Sequence, residues 1–296
     1  MKGQHEKAQA FLGSLATKAP ELPFEPTLMP RLFASTAHNS MATLEQISAL
    51  VERSQGLAAR ILRVANSAYY GMHTAVSSLA IAIRLLGLNE LRSIIMQIGI
   101  LSTVRTLKLP AGFDFQKLWE HQLVTAVIAR GLAQAMPASV SSATLAEEVY
   151  AAGLLHDLGK TLIAASCPKE LDAINALAAE QNLPFHRAED AYWGIDHSVV
   201  GSRLLTFWGL PAQLTEPVSW HHAPDLAPPK HAVAVGILAA ANELSRIDRT
   251  LLTQKGFPST IESLLPKGIT REGLEQAVAA CADPAKIRDL NTMAAL

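Results

Sequence analysis

Cysteine, aromatic residues and net charge are all scarce in this 296-residue chain. Two cysteines, Cys167 and Cys281, are too few for a disulfide framework, and their spacing fits no metal motif. Aromatic residues make up 5% of the chain, and alanine and leucine supply most of its 49% hydrophobic content. Strands favour β-branched and aromatic side chains, so this composition excludes a sheet protein and indicates an all-α fold. A net charge of −1 gives no general electrostatic grip on nucleic acid or an anionic membrane, so neither is expected as a partner. The amino terminus is polar, and no apolar run approaches the ~18 residues that a membrane span needs. A cytoplasmic protein is the expectation. No repeat of fixed period occurs, which excludes a solenoid.

What the chain does contain is helix after helix. Residues 1–20 read as a short lead-in, and prolines 20, 23, 26 and 30 then interrupt any helix by removing backbone donors. Thr43 with Gln46 three residues later reads as a capping box, followed by Ile47, Leu50 and Val51 at helical spacing. Ser77–Ser78 caps a run striped by Ile81, Leu85 and Leu88, with Gly87 tolerated near its end, and a longer helix carries Leu91, Ile94, Ile98 and Leu101. Arg60, Arg63, Asn66, Tyr69 and Tyr70 gather around one helix end. They suit either a partner or phosphate contact, or a solvated face with two packing tyrosines. Pro110–Ala111–Gly112 breaks the pattern, placing a boundary near residue 115. The expected division is an amino-terminal helical module over 1–115, a second helical bundle over 116–250, and a loosely attached helical tail over 251–296.

Chemistry-bearing residues concentrate in the second half. Gly153 to Lys160 reads Gly-Leu-Leu-His-Asp-Leu-Gly-Lys, with the His156–Asp157 doublet behind an apolar run. The spacing predicts one helix over 145–160, ended by Gly159 in a left-handed cap. Neutral imidazole beside a carboxylate suits iron, manganese, nickel or zinc. His121 falls three residues before Val124 on the apolar stripe of a helix over 119–136, and His197 three before Val200 on another. His221–His222 ends a segment starting at Pro211, and Pro224 prevents its continuation. Any one of these histidines alone reads as a packed core residue, and Asp157 as a helix cap. Because unpartnered buried imidazoles are costly, a shared metal or anion site using His121, His156, Asp157, His197, His221 and His222 is the more economical expectation.

The order His121, His156–Asp157, Lys160, His197, His221–His222 resembles the HD superfamily of metal-dependent phosphohydrolases, including its HD-GYP branch. More specifically, residues 22–245 resemble the HDOD domain, an HD-related output domain of bacterial signalling proteins. The resemblance is carried by Leu57–Gly71, Ala82–Gly87, Ala152–Lys160, Asp196–Gly201, Trp208–Pro211 and Trp220–Pro224. It implies an all-helical fold of two packed bundles, the second a degenerate HD-like bundle. Two departures bear on activity. Asn242, in Ala-Ala-Asn-Glu-Leu (240–244), stands where the HD pattern carries Asp, and an amide binds a divalent cation less well than a carboxylate. The Gly-Tyr-Pro signature is replaced by Ala-Pro-Asp-Leu after His222. The expectation is therefore a non-catalytic signalling module acting on a partner protein, with a vestigial metal or ligand site. The alternative is a metal-dependent phosphohydrolase acting on a nucleotide or cyclic dinucleotide, with Lys160 steadying phosphate charge.

Overall fold

The computed structural model describes residues 2–18, 28–36, 40–66, 76–247, 259–265 and 268–279. Every regular element among them is helical. The first half runs through α1 (Lys2–Lys18), α2 (Leu28–Ser35), α3 (Leu44–Glu52), α4 (Gln55–Ala65) and α5 (Leu79–Thr106). Helix α3 starts in the expected capping box: Thr43 Oγ1 accepts from the Gln46 N–H, and Gln46 Oε1 accepts from the Thr43 N–H. Ser78 caps α5. Within α5, Gly87 takes φ 78° and breaks the helical path rather than being absorbed by it.

The second half comprises α6 (Phe115–Gln134), α7 (Ala143–Leu155), α8 (Leu158–Ser166), α9 (Pro168–Gln181), α10 (Phe185–Trp193), α11 (His197–Phe207), α12 (Ala212–Trp220) and α13 (Ala232–Arg246). Two further helices follow among the described residues, α14 (Ser259–Leu264) and α15 (Arg271–Ala279). Helix α6 lies against α7, α13 and α15, while α11 packs between α8 and α12. One apolar cluster runs from Leu32, Ile47 and Leu91 through Leu123 and Leu155 to Leu205, Val218 and Leu238. A second, built from Ile128, Leu132, Val149, Ile237 and Leu274, fills the space between α6, α7, α13 and α15. Full burial of each such side chain stabilises by roughly 2 kcal/mol. Packing of the apolar faces, more than helix propensity, therefore holds the bundle together.

Three sequence expectations need correction. The single helix over 145–160 is two: α7 ends at Leu155, Asp157 sits at φ −101°, ψ 7°, and α8 begins at Leu158. Gly159 ends nothing. It lies in the first turn of α8, where a Cβ would sit 1.9 Å from the His197 carbonyl oxygen. The glycine is needed for the close approach of α8 and α11. The tail is not loose where it is described, since Leu274, Ala277 and Val278 are buried and Ala277 presses against Gly131 of α6. Tyr69 and Tyr70 lie outside the described residues. Asn66 is structural, joining α4 to Val76 through its side-chain amide, and Arg60 donates to Ser102 Oγ at 3.0 Å. Among the described residues no helix is long and apolar enough to cross a membrane.

Candidate metal centre

The break between α7 and α8 is what aims the two side chains of the doublet. On a continuous helix, neighbours point about 100° apart; the turn at His156–Asp157 lets both face the same place. Helix α6 brings His121 there because Gly153 permits α7 to lie almost on its backbone, where a Cβ would be 2.5 Å from Ala126 Cα. His121 Nε2, His156 Nε2 and Asp157 Oδ2 then form a near-regular triangle with sides of 3.2, 3.4 and 3.5 Å. Donors at ~2.1 Å from one ion and near tetrahedral angles would be about 3.2–3.5 Å apart.

Hydrogen bonding fixes which nitrogen atoms carry protons. His156 Nδ1 donates to Gly153 O at 2.8 Å, which leaves Nε2 of the neutral ring a bare lone pair. Ser245 Oγ gives its only proton to Asn242 O and receives one from Thr125, so His121 Nδ1, 3.0 Å away, must donate to it. His121 Nε2 is thereby bare as well. Two lone pairs facing each other at 3.2 Å cannot bond to one another; a cation between them resolves the conflict.

The other carboxylate oxygen of Asp157 faces a second set of donors. His197 Nε2 stands 2.9 Å from Oδ1, His222 Nε2 lies 3.0 Å from His197 Nε2, and His221 Nε2 lies 4.0 Å from Oδ1. His221 Nδ1 donates to Val218 O at 2.7 Å. Asp157 Oδ1 and His221 Nε2 are buried with no aligned hydrogen-bond partner among the described residues. The 2.9 Å approach of His197 is therefore close but not aligned as a bond. Orphaned buried acceptors of this kind fit a metal ion. Asp157 thus bridges two overlapping donor sets, His121–His156–Asp157 and Asp157–His197–His221–His222. All six residues singled out from the sequence come together. Lys160 joins them, its ammonium 2.6 Å from Asp157 Oδ2. Asn242 is buried one turn before Ser245, and its Oδ1 also lacks a partner among the described residues.

Residues outside the doublet pattern complete the centre. Glu189 on α10 is wholly buried and accepts from both His197 Nδ1, at 2.5 Å, and the His197 N–H, at 3.1 Å. That is the carboxylate–histidine arrangement that orients a metal ligand. His186 stacks on His222 with ring centroids 4.0 Å apart. Sequence reasoning missed Glu189, because its role depends on how α10 folds back across Gly194. Its one legible sign is an acid followed eight residues later by a His. Glu189→Gln keeps the shape and removes the charge; divalent-metal affinity is expected to fall roughly 10–100-fold, measured by competition with a chromophoric chelator. Unchanged affinity would remove Glu189 from the centre.

Burial sets most of the protonation states. It holds His156 well below its ordinary pKa against the pull of Asp157, and His222 likewise, with His221 and His197 adding to the effect. Burial together with His197 lowers His221 to about 3. His197 is the exception: burial acts to lower it, but Glu189 and Asp157 push it up to about 9. Asp157 is also wholly buried, which favours the acid, yet His156, Lys160 and His197 hold it well below the carboxylate range. Most of the imidazoles are therefore neutral and ready to ligate at pH 7.

The sign of the pH dependence follows. An unfolded chain binds protons near the ordinary histidine pKa of about 6.5, protons that folded His156, His221 and His222 refuse, so their share of stability is lost as pH falls below that value. The stabilisation from His197 is complete below about 6.5 and disappears as pH rises through its folded value of about 9. Metal-free protein should thus have its highest Tm near neutrality and melt earlier on both sides. A Tm that does not change from pH 5 to 9 would contradict these protonation states.

The comparisons with known proteins decide the family. The model for the HDOD domain matches residues 22–224. The chain belongs to the HDOD family. The matched span ends before α13, so Asn242 lies beyond it. Among solved structures, a Geobacter sulfurreducens HDOD domain protein of unknown function is 26% identical, with a TM-score of 0.70 over 98% of this chain and 97% of that one. A Shewanella amazonensis protein, named as a candidate phosphohydrolase, is 22% identical with a TM-score of 0.74 over 96% and 97%. At that identity the likeness shows the fold alone. A Treponema pallidum (strain Nichols) protein carrying no functional name is 25% identical over 229 residues. That stretch is 77% of this chain but only 43% of the relative's length.

Proposed function

We propose that this HDOD chain is a regulatory module whose centre binds divalent metal and is retained for binding, not turnover, and which acts through contact with a signalling protein. The observation that carries the reading is the bridging Asp157, with donor atoms gathered on both of its oxygens; on the Oδ1 side His197 would give up its proton when an ion enters. The four-donor set, Asp157, His197, His221 and His222, would hold one ion firmly. The three-donor set would hold a second more weakly, because it has one donor fewer, and in the sequence Asn242 stands where the HD pattern carries Asp. The two ions together would cross-link α6, the α7–α8 junction, α11 and α12, in the way that structural metals add binding energy to folding. A bridged pair without its full charge complement is poorly matched to activating water or balancing a leaving phosphate. The choice among iron, manganese, nickel and zinc is left to availability, since His and Asp suit each of them.

A second reading, a metal-dependent phosphohydrolase, is favoured by one feature: the centre opens into a cleft lined by His121, Asp157 and Lys160. When bound, a divalent ion would supply Lewis acidity there. His121, His156 and Asp157 would orient it, and Lys160 would hold the charge of a phosphoester. The two readings separate in one assay. The protein is reconstituted in turn with manganese, iron, zinc and nickel and given a cyclic dinucleotide and a simple phosphoester. No turnover above the metal blank is expected, with measurable turnover in Asn242→Asp. Robust turnover by the unmodified protein, lost in His156→Ala, would make it an enzyme.

A further inference from the structure

The cleft leading to the centre measures about 320 Å³ and is lined by Asp114, Lys117, Leu118, Phe185 and Arg246 in addition to the centre residues. Lys117 stands in the first turn of α6 and Arg246 in the last turn of α13, at opposite ends of the sequence of this bundle. Both are exposed, and neither has an ion-pair partner among the described residues. The two carboxylates in the cleft are already engaged. Asp114 Oδ1 accepts from the Lys117 N–H at 2.9 Å, and Asp157 is paired with Lys160. Lys160 in turn lies 5.8 Å above the Phe185 ring, so an aromatic face adjoins the cation that touches the centre.

We infer that Lys117 and Arg246 form an anion-binding rim that brings a small phosphomonoester to the metal centre. Three cations from three separate helices converge on one opening. A terminal phosphate offers three oxygens and about two negative charges, which matches them better than the two oxygens and single charge of a carboxylate. The volume is at the low end of the roughly 300–1,000 Å³ usual for small-molecule sites, which favours a compact ligand over a cyclic dinucleotide with two bases and two phosphates. The inference rests on the metal-centre reading only for the ion's share of the binding; the rim belongs to the protein itself.

The test is calorimetric titration of the full-length chain with inorganic phosphate, once metal-free and once loaded with manganese. Succinate and a cyclic dinucleotide serve as competitors, and metal content is measured separately. Lys117→Ala and Arg246→Ala should each weaken phosphate binding roughly tenfold, as expected for one charge-assisted hydrogen bond. The double variant should lose more than either, with helicity and metal content unchanged in all three. The same dependence in the metal-free form, with no metal taken up by any form, would leave the rim standing and sink the metal reading alone. The inference is overturned if phosphate does not bind saturably in either form. It also fails if the variants bind like the wild type, or if succinate or the cyclic dinucleotide binds more tightly than phosphate.

Discussion

Asp157→Ala should empty both donor sets at once. Its two oxygens face different groups, Oδ2 toward His121, His156 and Lys160, and Oδ1 toward His197 and His221. Among the described residues no other carboxylate belongs to either set. Loss of an outer-shell partner costs about 10–100-fold in metal affinity, so loss of a direct, shared ligand should cost more than about 100-fold. Stability should fall less steeply, because Lys160 is partly exposed in the cleft and can exchange its lost partner for water. Single-set variants should behave differently. His121→Ala should affect only the weaker ion and His222→Ala only the firmer one. If Asp157→Ala binds metal like the wild type, the bridging role is wrong.

Gly159→Ala should be as damaging although no donor atom changes. The added Cβ would lie 1.9 Å from His197 O and 2.9 Å from Gly201 N, where contacts under 3.0 Å essentially never occur. Both obstacles are backbone, so α8 must move away from α11 by about 1 Å or more, and overpacking of this kind costs about 1–3 kcal/mol or more. Asp157 precedes α8 and His197 opens α11, so the same movement pulls the bridging carboxylate from the second donor set. The expected result is a lowered Tm together with loss of the firmer ion. Gly56→Ala is the control: no described residue lies within 4 Å of its added Cβ, and an alanine there should hold or slightly raise Tm. Equal behaviour of the two variants would show that the helix contact does not matter.

Gly159 also shows where sequence reasoning stops. A glycine after an apolar helical run reads locally as a terminator, and only the packing of α8 on α11 reveals that it is there for close approach. The inward-facing histidines were legible, because helical register places His121 and His197 on stripes shared with Val124 and Val200. The all-α architecture was legible from composition for the same reason: apolar spacing and a shortage of strand-forming residues are properties of the chain itself. Glu189, His186 and Ser245 were not. Each is defined by what it meets in space: His197 across the Gly194 turn, the ring face of His222, and His121 on a helix 124 positions earlier. The split of one expected helix at His156–Asp157 was equally hidden, since Leu154, Leu155 and Leu158 continue the apolar pattern through it.

The most direct test of the metal centre is elemental analysis of the full-length chain purified without added metal, followed by titration with manganese and zinc under chelator competition. One firmly held divalent ion per chain is expected, with a second entering on titration, and Asp157→Ala should lose both. A chain that arrives free of metal and takes up none at millimolar concentration would contradict the centre, leaving the histidines as core residues around a buried aspartate.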